Sequence, residues 1–309
     1  MLLPRPPLAG RLPAPARRLL SRRAFASAAS ASSSSSLLSS QTFSPASSAE
    51  TGSQPPAPLV ILHGLFGSKQ NWRSLSKALA NRLGTDVIPL DLRNHGESFH
   101  ADTHNYEVMA ADVLAFVQKQ GFDKINLMGH SMGGKVAMHF ALSQQDMMKK
   151  LVVVDMAPTV GRPSSDFEVY LAGMNRVEEA RVATKPEADR ILAETVDSLP
   201  IRQFILTNLR APHSNSSSPS HMSFRINLPA LESALANLWN FPLTDTGVTW
   251  SGDALFIAGS KARYITPKKE PSIMGFFPRA EIKYLDTGHW VHSEKPQEFL
   301  DLVTKFIER

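Results

Sequence analysis

Short apolar runs alternate with longer amphipathic ones along most of the chain, and that alternation predicts the fold. Leu59-Val60-Ile61-Leu62, Asp86 to Leu90, Lys124 to Met128 and Leu151-Val152-Val153-Val154 have the length and composition of buried strands. Between them, Asn71 to Arg82 reads as a helix that brings Trp72, Leu75 and Leu79 to one face. Tyr106 to Lys119 reads as a second helix, with Val108, Val113, Phe116 and Val117 among its apolar positions, and Lys135 to Leu142 as a third. From about Gly161 to Thr249 the rhythm breaks. Asp166 to Ala180, Pro186 to Ser198, Ile201 to Leu209 and Pro229 to Trp239 all look helical. Strands resume at Ala254 to Ala258 and Ala280 to Leu285, with helices at Pro271 to Phe277 and Pro296 to Ile307. Such alternation predicts an α/β protein with a doubly wound, mostly parallel sheet and a helical insertion over about 161–249. Ligands of such sheets bind at the carboxyl ends of the strands. The polar stretch His213 to Ser220 predicts a flexible surface loop.

Charge separates the chain into two parts. Residues 1–49 contain six arginines, no lysine and no acid, and serine and alanine dominate 24–40. That is the composition of an organellar transit peptide. A disordered leader over 1–50 is therefore expected, with a folded domain over 51–309. Arg23-Ala24-Phe25-Ala26 is similar to a mitochondrial processing site, so the expected address is the mitochondrial matrix, with the chloroplast as the alternative. The formal net charge is +5, and the leader supplies +6, so the remainder stands at about −1. The high pI therefore does not point to nucleic acid. No apolar run reaches the ~18 residues a bilayer span needs. The chain has no cysteine, which excludes disulfides, thiolate nucleophiles and Cys-ligated zinc.

The candidate chemistry centres on Gly129-His130-Ser131-Met132-Gly133, placed between a strand and a helix. A serine on so tight a turn needs small neighbours, and the turn lifts its hydroxyl off the sheet beside a helix N-terminus. A serine nucleophile needs a base and the base an orienting acid. His289, in Thr287-Gly288-His289-Trp290 after the last strand, is the expected base, with His292 in support. For the acid, the loop Gly259 to Tyr264 contains no carboxylate, Asp253 lies at the wrong end of its strand, and Asp286 is too near His289 in sequence. Asp155, at the end of the Leu151–Val154 strand, is the expected acid. The two amides that an oxyanion requires are expected from Met132 and from Leu65, in the loop His63-Gly64-Leu65-Phe66-Gly67-Ser68. Asp91 and Arg93, in Asp91-Leu92-Arg93-Asn94-His95-Gly96-Glu97-Ser98, are expected to brace their loop, and His95 is not expected to act as the base.

With His-Gly-Leu-Phe-Gly-Ser, Asp-x-Arg-x-His-Gly-x-Ser, Gly-His-Ser-Met-Gly-Gly and Gly-His-Trp in this order, the chain resembles the α/β-hydrolase superfamily. Val153 to Pro158, Ile201 to Leu209 and Phe224 to Leu228 are similar to its mitochondrial abhydrolase-domain branch and to short bacterial esterases. The resemblance implies an α/β-hydrolase fold with a mobile helical cap, esterase or acyl-ester hydrolase activity, and an acid at Asp155. The expected partner is a small acyl ester or thioester, with no cofactor and no metal. The alternative is a non-enzymatic ligand receptor or protein-binding member of the fold. The N-terminal strand pair of that fold is barely visible before Leu59, and Gln41-Thr42-Phe43 is its candidate remnant.

Overall fold

In the computed structural model, residues 37–46, 56–161, 166–211 and 221–309 are described. Most of the leader expected over 1–50 and all of the loop expected over 213–220 lie outside them.

Six strands form one parallel sheet: β1 (Leu59–Leu62), β2 (Val87–Leu90), β3 (Ile125–His130), β4 (Met148–Val154), β7 (Asp253–Gly259) and β8 (Ala280–Leu285). Their spatial order is β2-β1-β3-β4-β7-β8. Helices α1 (Arg73–Leu83), α2 (Tyr106–Lys119), α3 (Met132–Ser143), α8 (Glu270–Phe276), α9 (Val291–Glu294) and α10 (Pro296–Glu308) belong to the sheet framework. The chain winds one way from β1 to β2 and the opposite way from β3 to β4. The loops that leave β1 and β3 therefore diverge and open a crevice at their carboxyl ends. One sheet face is covered by α2 and α3, the other by α1 and α10. The second face buries Trp72, Leu79, Phe299, Val303 and Phe306. Every residue of α3 from Met132 to Leu142 is buried, so this helix is held from all sides.

Between β4 and β7 come α4 (Asp166–Glu179), α5 (Lys185–Ala193), α6 (Leu199–Leu206), α7 (Leu228–Leu238) and a two-residue antiparallel pair, β5 (Leu209–Arg210) with β6 (Ser223–Phe224). The pattern predicts α5 to Ser198, but it stops at Ala193. Thr184 and Glu187 form a capping box that fixes its start. The amides of Thr195 and Val196 both bond back to Leu192 O, closing the helix at a β-branched pair. Helix α6 stops three residues short of the expected Leu209, because Leu209 pairs with Phe224 instead. The insertion shares one apolar core with the α2 and α3 face of the sheet, through Leu171, Met174, Leu192, Ile205, Leu231 and Leu235. It is also tied by polar bonds: Asn208 Nδ2 donates to Phe66 O at 2.7 Å, and Asn227 N donates to Asn94 O at 3.0 Å.

Residues 37–46, inside the stretch expected to be leader, lie against the edge of the sheet. Ser40 and Phe43 form antiparallel bridges with Leu90 and Val87 of β2, and Leu38 is buried. Ser39 N donates to Ser98 Oγ, and Lys69 Nζ donates to Ser39 Oγ at 2.9 Å. Among the described residues no helix is long and apolar enough to cross a membrane.

This edge segment gives a test of where the folded unit begins. Leu38 and Phe43 together bury apolar surface worth about 2 kcal/mol or more. A chain deleted through Ala46 is expected to melt about 5 °C below one deleted through Ser36, by calorimetry. Equal melting temperatures would show that residues 37–46 add nothing to the fold.

Candidate active site

Ser131 stands between β3 and α3 with φ 53° and ψ −118°, a conformation that non-glycine residues rarely adopt. The neighbouring packing explains how it is held. A Cβ on Gly129 would overlap the Gly133 carbonyl, and a Cβ on Gly133 would overlap the His63 and Leu62 carbonyls. Only glycine lets β1, β3 and α3 approach so closely. Ser131 N donates to Val154 O at 3.0 Å, which continues the β3–β4 ladder one residue past the strand end. The first amides of α3, beginning with Met132, follow directly at the positive end of the helix.

Asp155 takes the same position one strand over. Its N–H donates to Ile257 O at 2.8 Å, and it too lies in the left-handed region, at φ 47°. Its carboxyl group is fully buried. Oδ1 accepts the Gly259 N–H at 3.1 Å, and Oδ2 accepts His289 Nδ1–H at 2.7 Å. Gly259 cannot carry a Cβ because the Gly288 carbonyl occupies that space, so the β7 end and the His289 loop are pressed together. His289 is further fixed by Tyr264, whose ring stacks on it with centroids 3.8 Å apart, and by His130, whose Nε2–H donates to His289 O at 3.0 Å. Glu294 accepts the Gly288 N–H at 2.9 Å and closes the loop.

The loop after β1 leans on the nucleophile turn. A Cβ on Gly64 would stand 2.9 Å from His130 Nδ1 and 3.2 Å from Ser131 Cβ. Gly67 N donates to Gly64 O, and Phe66 N donates to His95 Nε2 at 3.2 Å. His95 Nδ1–H in turn donates to Arg93 O, and His63 bridges Gly64 O and Leu92 N. Thus two imidazoles, each in a defined tautomer, hold the loop that carries Leu65. Beneath it, Lys69 forms a buried ion pair with Asp91 at 2.6 Å, and Asp91 also accepts the amides of Lys69 and Glu97. Arg93 pairs with Asp112 at 2.5 Å.

Ser131, His289 and Leu65 line one cavity of about 370 Å³. Ser131, Leu65 and Met132 line a second, of about 40 Å³. The structure therefore brings the sequence-predicted residues to one cleft, with Asp155 behind His289. Asp286 lies on the surface, paired with Lys261 at 3.0 Å. Sequence reasoning missed Tyr264, Lys135 and the bond from His130 to the His289 carbonyl. No motif marks them, because each acts through a neighbour distant in sequence. Lys135, at least, sits one helical turn beyond Ser131. Among the described residues no cluster of three or more His, Asp or Glu side chains could hold a metal ion.

Burial sets the electrostatics. It pushes the imidazoles of His63, His95, His130, His289 and His292 below the usual 6.5, and it brings His104 to about 3 and His139 to about 4. It pushes the Asp155 carboxyl up, opposed by the Gly259 N–H. At neutral pH the cleft thus contains an uncharged imidazole able to accept a proton.

A model of the alpha/beta hydrolase fold family matches residues 57–296. The chain is 37% identical over 262 residues to a protein of Danio rerio named sn-1-specific diacylglycerol lipase ABHD11, covering 83% of this chain and 80% of that one. It is 39% identical over 268 residues to a probable alcohol acetyltransferase of Saccharomyces cerevisiae, covering 83% and 78%. A solved marine microorganism esterase superposes with a TM-score of 0.77 at 32% identity, covering 88% of this chain and 100% of that one.

The buried imidazoles predict acid lability. Seven histidines are kept neutral in the fold but protonate near pH 6.5 when unfolded, so below that pH the unfolded state binds more protons and stability falls. Asp112 and Asp155, whose pKa values are raised by burial, act in the opposite sense but are outnumbered. The melting temperature is expected to be level between about pH 7 and 8 and to fall as pH drops from about 6.5 to 4.5. A melting temperature that rises over that window would contradict it.

Proposed function

The chain belongs to the α/β-hydrolase family, in its abhydrolase-domain branch, and from that premise we propose that it is a serine hydrolase of carboxylic esters acting through an acyl-enzyme. The observation that carries the reading is the 2.7 Å bond between His289 Nδ1–H and Asp155, facing the cleft that Ser131 enters from a strained turn. In the proposed mechanism His289 Nε2 takes the proton from Ser131 Oγ as that oxygen attacks the ester carbonyl. Asp155 holds Nδ1–H, which fixes the tautomer and steadies the imidazolium that forms. The amides of Leu65 and Met132 receive the developing oxyanion. His289 then gives the proton to the leaving oxygen. A water activated by the same imidazole releases the acid and restores Ser131.

Thioesters fit the same steps, with a thiol as leaving group. A second reading, acyl transfer to an alcohol, is favoured by the yeast relative named as an alcohol acetyltransferase. It differs only in the nucleophile that opens the acyl-enzyme. A receptor without turnover is the remaining reading. The arginine-rich, acid-free leader supports a mitochondrial address, and the helices between β4 and β7 support a cap over the cleft.

Steady-state hydrolysis of a panel of p-nitrophenyl esters tests the proposal. Ser131→Ala is expected to abolish turnover, and Asp155→Asn to lower kcat by about a thousandfold or more. Near-normal turnover in Ser131→Ala would overturn the proposal. Near-normal turnover in Asp155→Asn would remove Asp155 from it.

A further inference from the structure

The cleft has two lobes that meet at the nucleophile. Both are lined by Leu65, Ser131, Phe167 and Tyr264. His289 lines only the larger lobe, of about 370 Å³, and Met132 only the smaller, of about 40 Å³. Resting on the serine-hydrolase reading, we propose that the small lobe takes the acyl group and the large lobe the leaving group. The chain then selects short acyl groups on bulky leaving groups, and Met156 and Trp239 set the acyl length.

The assignment follows from where the proton must go. When the tetrahedral intermediate collapses, the bond from the acyl carbon to the leaving oxygen breaks. That oxygen keeps the electron pair and takes the proton which His289 received from Ser131 Oγ. The bond from the acyl carbon to Oγ remains. The leaving group must therefore lie within reach of His289, on the large-lobe side. With the leaving group on the His289 side, the smaller lobe, which His289 does not line, is the space beside Ser131 left to the remaining substituent of the acyl carbon.

Size then decides the substrate. A single water occupies about 10–15 Å³ measured this way, so the small lobe accommodates a chain of about two to four carbons. The wall cannot yield easily. Leu238 and Trp239 sit at the end of α7, and Lys135 of α3 fastens that end. Its Nζ donates to Leu238 O at 3.3 Å, Trp239 O at 3.4 Å and Asn240 O at 3.0 Å. A cation at a helix C-terminus is also favoured by the helix dipole. Tyr106 Oη donates to the same Leu238 O at 2.7 Å, and Gly161 N donates to Trp239 O at 2.9 Å. The second cation of the lobe, Lys269, donates to the Arg263 and Tyr264 carbonyls. Both ammonium groups are thus committed to main-chain oxygens, and the surface left to an acyl chain is mostly apolar. Across the cleft, Ile201, Phe204 and Trp290 give the large lobe an apolar lining suited to a bulky leaving group.

The test is kcat/KM of the full chain on p-nitrophenyl acetate, butyrate, octanoate and palmitate. Wild type is expected to lose about tenfold or more between butyrate and octanoate. Trp239→Ala, and independently Met156→Ala, is expected to raise the octanoate-to-acetate ratio by about tenfold. Phe204→Ala should leave that ratio in place and instead lower the preference for 1-naphthyl acetate over ethyl acetate. Octanoate or palmitate preferred by wild type, or an acyl ratio that moves with Phe204→Ala and not with Trp239→Ala or Met156→Ala, would overturn the lobe assignment while the serine-hydrolase reading stands. Wild type inert toward every ester would overturn both.

Discussion

Ser131 donates its backbone N–H to Val154 O at 3.0 Å while its own torsions stand at φ 53° and ψ −118°. The bond keeps the residue in the ladder of the sheet, and the torsions throw the chain straight into α3. Such a conformation costs on the order of 1–3 kcal/mol and persists only where the surroundings over-determine it. Here they do. Gly129 and Gly133 remove the side chains that would separate β1, β3 and α3, and α3 is buried along nearly its whole length. The position at the divergence of β1 and β3 is set by the order of the strands, so the cleft is a consequence of topology before any side chain is considered.

The groups around Ser131 depend on that turn in sequence. Gly64 can lie against Ser131 Cβ only because the β1 loop is held from behind, by His95 on the Phe66 amide and His63 on the Leu92 amide. Each bond needs a ring nitrogen that accepts, so each needs a neutral imidazole. Burial supplies that neutrality, and the same desolvation leaves His289 uncharged. One physical cause, exclusion of water, thus fixes both the scaffold and the proposed base. Its cost is the buried Lys69–Asp91 pair, tolerable because the carboxylate is satisfied by two amides as well as the ammonium.

Much of this was legible in the sequence. The strands announced themselves through apolar runs bounded by polar turns, and α2 and β8 fall on their expected residues. That Ser131, His289 and Asp155 would lie together could be expected because each follows a strand, and strand ends in a wound sheet converge. What stayed hidden was of two kinds. Helix ends in the insertion shifted by a few residues, since the turn at Thr195 and Val196 and the β5–β6 pair, rather than apolar periodicity, set them. The groups that hold the site from outside, Tyr264 on His289, His130 on the His289 carbonyl and Lys135 on α7, carry no motif because their partners are remote in sequence. The expectation of a leader rested on composition alone. That reading spread it over residues 37–46, which lie against β2.

The proposed chemistry requires Ser131 to form a covalent acyl intermediate. Rapid acid quench of the protein mixed with p-nitrophenyl acetate, followed by peptide mapping by mass spectrometry, reads this directly. An acetyl group is expected on the peptide containing Ser131, located on the Ser131 hydroxyl and absent from Ser131→Ala. Continued ester turnover with no adduct, or with the acetyl group on another residue, would contradict it.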